Sequence, residues 1–184
     1  DVWRDAAAEC GIPKIEEFNQ GDNFGNAFFQ MNQKSGKRWS AVRAFLDPIR
    51  SRKNLTILTE TCVDRLKLEK TDSGVQARGV IIKEKDQKRS IDANVEVILS
   101  AGAIASPQLL QVSGIGPSAL LSRFDIMTLV DIPGVGQNLQ DHLQIRTIYE
   151  VNNTTTLNEK AGSLWGKAMM GLEYFLFKTG PLTM

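Results

Sequence analysis

A chain of 184 residues can form one domain with a substantial core, and 42% hydrophobic with 23% charged residues describes an ordinary globular protein, not a disordered or fibrous one. Its 22 basic and 21 acidic residues nearly cancel, so no overall field favours nucleic acid or an anionic membrane as a partner. Two cysteines, Cys10 and Cys62, and a single histidine argue against a disulfide framework and against zinc catalysis, so no metal site is predicted.

The amino-terminal sequence lacks the long apolar run of a signal peptide, and no stretch approaches the roughly 20 residues that span a bilayer. The two cysteines suit a reducing compartment, so a cytoplasmic location is predicted. Peripheral association with a membrane stays open, and so does assembly into a homo-oligomer. The first residue is not Met and already reads as helix, so we expect the middle part of a longer protein.

The first half of the chain is predicted to be rich in strands. Hydrophobic periodicity and turn residues predict, in chain order, a helix over 1–10, a strand over 26–33, a helix over 40–49, and strands over 55–59, 62–69 and 76–83. Approximate alternation along the last of these strands, with turns near 72–74 and 86–87, favours a β-meander with one partly solvated face.

The second half alternates strands and helices. The pattern predicts a buried strand over 95–99, a helix over 107–112, a short helix over 117–124, strands over 128–131 and 143–151, and a helix over 164–177. A polar connector over 152–156 marks a change of composition, and we place a domain boundary there, between residues 1–151 and 152–184. The predicted fold class is mixed α/β.

The strongest functional signal follows the strand over 95–99. The strand leads into three residues with small side chains, Ser100, Ala101 and Gly102. Small residues at the carboxyl end of a strand let the backbone approach a phosphate closely. Ser106 fits the N-cap of a helix and Pro107 its first position, so the helix amides would point towards an anion. The sequence therefore predicts a site for a phosphate-bearing cofactor.

Two longer motifs extend this signal over most of the chain. They are GAIASPQLLQVSGIG at 102–116 and DIPGVGQNLQDH at 131–142, and they follow three shorter segments at 36–46, 52–55 and 59–66. In content and order these motifs resemble the glucose-methanol-choline (GMC) oxidoreductases, a family of FAD-dependent alcohol dehydrogenases and oxidases. The 102–116 string is similar to the family's second signature.

The resemblance implies part of a Rossmann-like FAD-binding domain with a β-meander, followed by the start of a substrate-binding domain. It implies FAD contacts at Val63, Ser100, Ala101, Gly102, Ser106, Asn138, Asp141 and His142. In this set, the backbone amide and carbonyl of Val63 would pair with adenine. The segment with Asn138, Asp141 and His142 would shape the flavin pocket, the last two through local hydrogen bonds.

The implied reaction oxidises an alcohol, choline or a similar donor, to an aldehyde by hydride transfer to the flavin. Electrons would then pass to a quinone or other carrier in a dehydrogenase, or to oxygen in an oxidase. The family's G-x-G-x-x-G turn and its catalytic histidine segment do not occur in this chain. We therefore expect no catalytic residue here, no tightly bound FAD in the chain alone, and no alcohol oxidation by it.

A second hypothesis is a noncatalytic nucleotide-binding or structural module, because a fold does not determine a function. Three local patterns favour neither hypothesis. The G-x-G-x-x-A pattern over 114–119 follows a helix and not a strand, so helix termination explains it better than a dinucleotide site. Ser106 lacks the G-x-S-x-G turn of a hydrolase nucleophile, and the lone His142 is a weak candidate for a general base.

Overall fold

The computed structural model describes residues 1–183, which fold as two units. One unit consists of Asp1–Leu55 and the chain from Ile148 onward, and the other is Thr56–Thr147. In chain order the helices and strands are α1 (Val2–Glu9), β1 (Gln33–Lys34), β2 (Lys37–Arg38), β3 (Cys62–Thr71), β4 (Gly74–Glu84), β5 (Gln87–Asp92), α2 (Gly102–Val112), β6 (Ile115–Gly116), α3 (Ser118–Leu121), β7 (Val130–Asp131), α4 (Leu157–Gly162) and α5 (Leu164–Phe177). Short π- and 3₁₀-helical turns lie at Val42–Leu46, Asp47–Ile49, Ser122–Phe124 and Pro181–Thr183.

The predicted β-meander is confirmed. Strands β3, β4 and β5 pair in that order, and both pairings are antiparallel. β3 pairs with β4 from Cys62 opposite Lys83 to Thr71 opposite Gly74. The register shifts twice along β3, once on each side of Leu66. Because β3 is an edge strand of this sheet, half of its backbone groups face away from β4.

The buried side chains of this unit come from the meander, from α3 and from the residue that follows α2. Among the described residues, the buried hydrophobic side chains are Leu66, Ile82 and Leu121, and all three belong to the unit Thr56–Thr147. Ser113, which follows α2, is the buried polar residue, and its hydroxyl joins α2 to the meander. Its Oγ accepts a hydrogen bond from the Leu66 N–H at 2.8 Å and donates one to the Leu109 carbonyl at 2.6 Å.

A short parallel pair follows α2. Ile115 of β6 lies opposite Val130 of β7, and α3 lies in the connection between them. Asp131 of β7 caps α3, since its carboxylate accepts hydrogen bonds from the Ser118 N–H at 3.0 Å and the Ser118 hydroxyl at 3.1 Å. Pro117 occupies the N-cap position itself and has no side-chain acceptor, so the cap comes from a distant residue.

In the other unit, the helix predicted over 164–177 is confirmed, with the same bounds. The Ser163 hydroxyl accepts a hydrogen bond from the Gly166 N–H at its start, and Lys178 ends it in the left-handed conformation. The preceding helix, α4, was not predicted. It begins with a capping box in which Thr156 and Glu159 bond each other's backbone amides.

Four predicted strands are wrong in the described part of the chain. The segments 26–33, 55–59, 95–99 and 143–151 do not form the predicted strands. Within them, Gln33 belongs to the two-residue strand β1 and Asn26 forms an isolated bridge with Lys14. A strand needs a hydrogen-bonding neighbour, and apart from Gln33 and Asn26 the residues of these segments find no β-bridge partner among residues 1–183. The helix predicted over 40–49 contains π- and 3₁₀-helical turns instead, with Pro48 inside the second.

The predicted boundary between residues 1–151 and 152–184 separates an FAD-binding from a substrate-binding domain, and it stays a prediction. The two units of the structure divide elsewhere, at 55–56 and 147–148. Across residues 1–183, each helix is too short or too polar to cross a bilayer.

Candidate functional site

The signature helix begins earlier than its sequence predicts. The prediction of Ser106 as N-cap is wrong, because α2 begins at Gly102 and Ala101 is its N-cap. Gly102 has a φ of 89°, which turns the chain sharply into the helix and is easily adopted only by glycine. Pro107 therefore lies inside the helix. The Ser106 hydroxyl accepts a hydrogen bond from the Ala101 N–H at 3.1 Å.

Helix α2 presents free amide groups at its start. The first N–H groups of an α-helix have no partner within the helix. Ser106 satisfies the amide of Ala101, whereas the amides of Gly102, Ala103 and Ile104 have no hydrogen-bond acceptor within residues 1–183. All three residues are exposed. These amides and the positive end of the helix dipole suit an anion.

The space beside this turn is open. A Cβ atom built on Gly102 would meet no other atom within 4 Å among the described residues. Ser100 and Ala101 are also exposed. The backbone of the turn can therefore be approached closely by a ligand, as the small side chains of Ser100, Ala101 and Gly102 predict.

A groove of about 600 Å³ lies between α2 and the loop that carries Asn138. The helix contributes the residues Ala103, Ile104, Pro107, Gln108 and Gln111 to its lining. The loop contributes residues 136–140, which places Asn138 across the groove from the first turns of α2. The structure thus brings two of the sequence motifs, 102–116 and 131–142, to one concave surface.

Gln111 holds this loop against the helix. Its Nε2 donates a hydrogen bond to the Val135 carbonyl at 3.1 Å. Gly136 has a φ of 83°, which favours glycine, and a Cβ there would lie 2.6 Å from the same nitrogen and displace the Gln111 side chain. Asn138 follows in the left-handed conformation, and its Oδ1 accepts a hydrogen bond from the Gln140 Nε2 at 3.1 Å.

The remaining predicted contacts lie around this groove or apart from it. Asp141 and His142 are exposed and are absent from the groove lining, and the Asp141 carboxylate accepts a hydrogen bond from the His142 N–H at 2.7 Å. Val63 lies on β3 opposite Ile82, with 39% of its surface exposed. The roles of these residues towards a cofactor stay predictions.

Positive side chains surround the carboxylate that follows Val63. Asp64 forms ion pairs with Lys88 at 2.8 Å and with Arg65 at 3.0 Å. Hydrogen bonds from Lys88 and then from Arg65 lower the pKa of the Asp64 carboxyl. Its negative charge is therefore paired within the meander. No group of His, Cys, Asp and Glu side chains in residues 1–183 has the arrangement of a metal site.

Gln111 and Ser113 lie within the signature at 102–116, but the sequence predicts no role for either. A serine at a helix end often bonds the carbonyl four residues earlier, so the bond from Ser113 to Leu109 has a sequence signal. Its second partner, Leu66, is 47 residues away, and the Val135 partner of Gln111 lies 24 residues away. No local pattern reports such distant partners.

Comparison with known proteins places these motifs in a family. The model of the GMC oxidoreductase family matches residues 1–144. The oxygen-dependent choline dehydrogenase of Burkholderia ambifaria is 40% identical to this chain over 178 residues, which is 96% of this chain and 30% of that protein. This chain thus spans about 30% of the length of the curated relatives it matches.

Solved structures agree. An FAD-dependent oxidoreductase from Chaetomium thermophilum superposes with a TM-score of 0.85 and 30% identity, over 98% of this chain and 32% of the other. Pyridoxine 4-oxidase from Mesorbium loti gives a TM-score of 0.64 and 38% identity, over 72% of this chain and 25% of the other. The predicted mixed α/β fold class is confirmed. Because the family model matches most of its length, the chain belongs to the GMC oxidoreductase family, as its motifs predict.

Proposed function

We propose that this chain forms part of the FAD site of an oxidoreductase, and that the complete protein oxidises an alcohol, choline or a similar donor, to an aldehyde. The observation that carries the proposal is the start of α2, where the amides of Gly102, Ala103 and Ile104 lack partners among the described residues. Three free donors at the positive end of an 11-residue helix suit the phosphates of a dinucleotide.

Val63 supports the adenine contact. Residues of an antiparallel strand alternate between those that bond the neighbouring strand and those that point away. Leu66 points away from β4, because its N–H is donated to Ser113. The register shift between Val63 and Arg65 inserts a residue, so the alternation directs the N–H and C=O of Val63 to the same free edge, where the carbonyl also accepts a weak bond from the Cys62 thiol at 3.7 Å. Adenine, which offers a donor beside an acceptor, matches such an edge.

The groove beside α2 supports a place for the rest of the cofactor. Asn138 is held in the left-handed conformation on the wall opposite the helix, and its side-chain amide is exposed. When bound, FAD supplies the redox chemistry by accepting a hydride from the alcohol carbon. The role of this chain is to bind and orient: α2 at the phosphates, Val63 at the adenine, and Asn138 with Asp141 and His142 towards the flavin.

The relatives named oxygen-dependent choline dehydrogenase support choline or a similar alcohol as the substrate, and oxygen over a quinone or other carrier as the electron acceptor. A cytoplasmic location and a homo-oligomeric state are further parts of the proposal. Cell fractionation and size-exclusion chromatography of the complete protein test them.

The decisive experiment is Gly102→Val in the complete reading frame that carries this chain. Valine at a φ of 89° is strained, and its branched side chain fills the open space beside the helix amides. Hydrogen bonds from these amides to a charged phosphate are worth about 1.5–3 kcal/mol each, so blocking them predicts FAD binding weaker by about tenfold or more. Flavin absorbance per protein in the purified variant, and titration of its apoprotein with FAD, measure the effect.

Gly11→Val is the matched control. Gly11 has a φ of 84°, and a Cβ there also meets no atom within 4 Å, but Gly11 lies outside the groove. We expect the control to keep its flavin. Equal flavin loss in both variants, or full occupancy in Gly102→Val, contradicts the site. A complete protein that purifies without a flavin absorption band favours the noncatalytic hypothesis.

A further inference from the structure

Ser113 connects two segments that the proposed function assigns to FAD. It lies at the end of α2, with 8% of its surface exposed, and its hydroxyl bonds Leu66 of β3 on one side and Leu109 of α2 on the other. β3 carries Val63, three residues before Leu66, and α2 carries the free amides at its start. One hydroxyl therefore ties the adenine segment to the phosphate segment.

We propose that Ser113 is a positioning residue for the adenine half of FAD, acting by holding the free edge of β3 at a fixed distance from α2. The inference rests on the proposed function, because the role of Ser113 follows from the proposed cofactor contacts of β3 and of α2. Ser113 does not contact the cofactor. Its Oγ donates to Leu109 and accepts from Leu66, which uses its proton and one lone pair inside the protein.

The meander by itself is poorly suited to keep Val63 in place. The ladder between β3 and β4 shifts register between Val63 and Arg65 and again between Lys67 and Leu68, so Leu66 lies between two irregular points. Bulges of this kind interrupt the ladder and let a strand bend. The opposite edge of β3 has no neighbouring strand in the described chain. The ion pair of Asp64 with Lys88 holds this part of β3 to β5, and the bond from Leu66 to Ser113 holds it to α2.

Removing the Ser113 hydroxyl is expected to affect the adenine contact and to leave the groove beside α2 unchanged. The buried N–H of Leu66 loses its acceptor, and a buried unsatisfied donor is costly. The strand relieves this by moving towards another acceptor or towards water, which displaces Val63 relative to the start of α2. Adenine recognition suffers because its donor and acceptor must both be matched. The groove between α2 and Asn138 is held separately, by Gln111.

The test compares ligands that report on the two halves of the site. Apoprotein of the complete wild type and of Ser113→Ala is titrated with FAD, with ADP and with FMN. We expect the variant to bind FAD and ADP about tenfold more weakly, the size of effect that misalignment of one hydrogen bond to adenine predicts, while FMN affinity stays within about twofold. A role that is only structural would change all three affinities together or none.

Two further variants complete the test. Ser113→Thr keeps the hydroxyl, so we expect it to bind ADP as the wild type does. If Ser113→Ala does not fold, Ser113→Thr is compared instead with Ser113→Cys, whose thiol is a weaker acceptor. Ser122→Ala is the matched control, because Ser122 is exposed and bonds only the Ala119 carbonyl of its own helical turn. We expect it to bind all three ligands as the wild type does.

The outcomes separate this inference from the proposed function. Equal weakening of FAD, ADP and FMN binding, or a lower melting temperature with unchanged affinities, overturns the role of Ser113 while flavin loss in Gly102→Val still supports the site. A wild-type protein that binds neither FAD nor ADP overturns the proposed function and this inference with it.

Discussion

At the scale of single residues, the signature was predicted correctly as a small-residue turn but incorrectly as a cap. Ser106 followed by Pro107 is a strong local signal for a helix start. Gly102 overrides it, because a φ of 89° allows the chain to enter the helix five residues earlier. Pro107 has no N–H, so α2 lacks one backbone hydrogen bond at this position. The helix tolerates this loss near its start and is longer than predicted.

The glycine at position 79 is a residue where backbone contact requires the absence of a side chain. A Cβ there would overlap the Ile91 carbonyl oxygen and lie 2.9 Å from the Asp92 Cα. We expect Gly79→Ala to lower the free energy of unfolding by about 1–3 kcal/mol, because the β4–β5 ladder must separate. Urea denaturation measures it. Gly74→Ala, also at positive φ but with no atom within 4 Å, is the control and should cost clearly less.

At the scale of elements, helices were predicted better than strands. The bounds of α5 follow from apolar spacing and from Ser163, all of which are local in sequence. The strands predicted over 95–99 and 143–151 depend on neighbours that residues 1–183 do not contain. Helix α4 was missed although its T-x-x-E start is a recognised signal, because the segment before it was read only as a polar connector.

The capping box of α4 makes a second stability prediction. Thr156→Ala removes the acceptor of the Glu159 N–H, which is bonded at 3.2 Å. We expect the free energy of unfolding of the complete protein to fall by about 1 kcal/mol, as is usual for lost N-caps. Thr155→Ala, at the exposed neighbouring position, should change it by less than about 0.5 kcal/mol. Equal effects of the two variants would show that the cap contributes nothing.

The meander's ion pairs predict a dependence on pH. Arg89 lowers the pKa of the Glu84 carboxyl, and Lys67 lowers the pKa of the Asp92 carboxyl. A pKa that is lower in the folded state than in the unfolded state stabilises the fold at neutral pH, and this contribution is lost as pH falls below about 5. Unfolding in urea at several pH values should show stability falling with acid.

The matched variant for this pH dependence is Glu84→Gln, which cannot titrate. We expect its stability to fall less steeply than that of the wild type below about pH 5, and added salt to reduce the difference, because both partners are exposed. Identical pH profiles for Glu84→Gln and the wild type would show that the ion pair with Arg89 has no influence on stability.

At the scale of the whole molecule, many apolar side chains are uncovered. Leu66, Ile82 and Leu121 are the buried hydrophobic residues among those described, whereas α5 exposes 76% of Trp165 and 74% of Phe175. Large exposed apolar surfaces in soluble proteins mark interfaces. The relatives are about three times longer than this chain, and in them further polypeptide is available to cover the corresponding surface.

This exposure predicts how the chain behaves alone. We expect the 184-residue chain, produced by itself, to bind the dye ANS strongly and to melt without a sharp cooperative transition, because its apolar faces remain wet. The complete protein should bind little dye and melt cooperatively. Fluorescence titration and calorimetry make the comparison. Weak dye binding and a sharp transition for the chain alone would contradict the expectation.

The amino-acid sequence by itself determined the family, the meander, helix α5 and the small-residue turn, because motif content, apolar periodicity and turn chemistry are properties of neighbouring residues. Only the tertiary structure decided where α2 begins, which segments pair as strands, and that Ser113 and Gln111 hold distant segments at the groove. Hydrogen bonds between residues far apart in sequence depend on how the chain folds back on itself, and no local pattern specifies them.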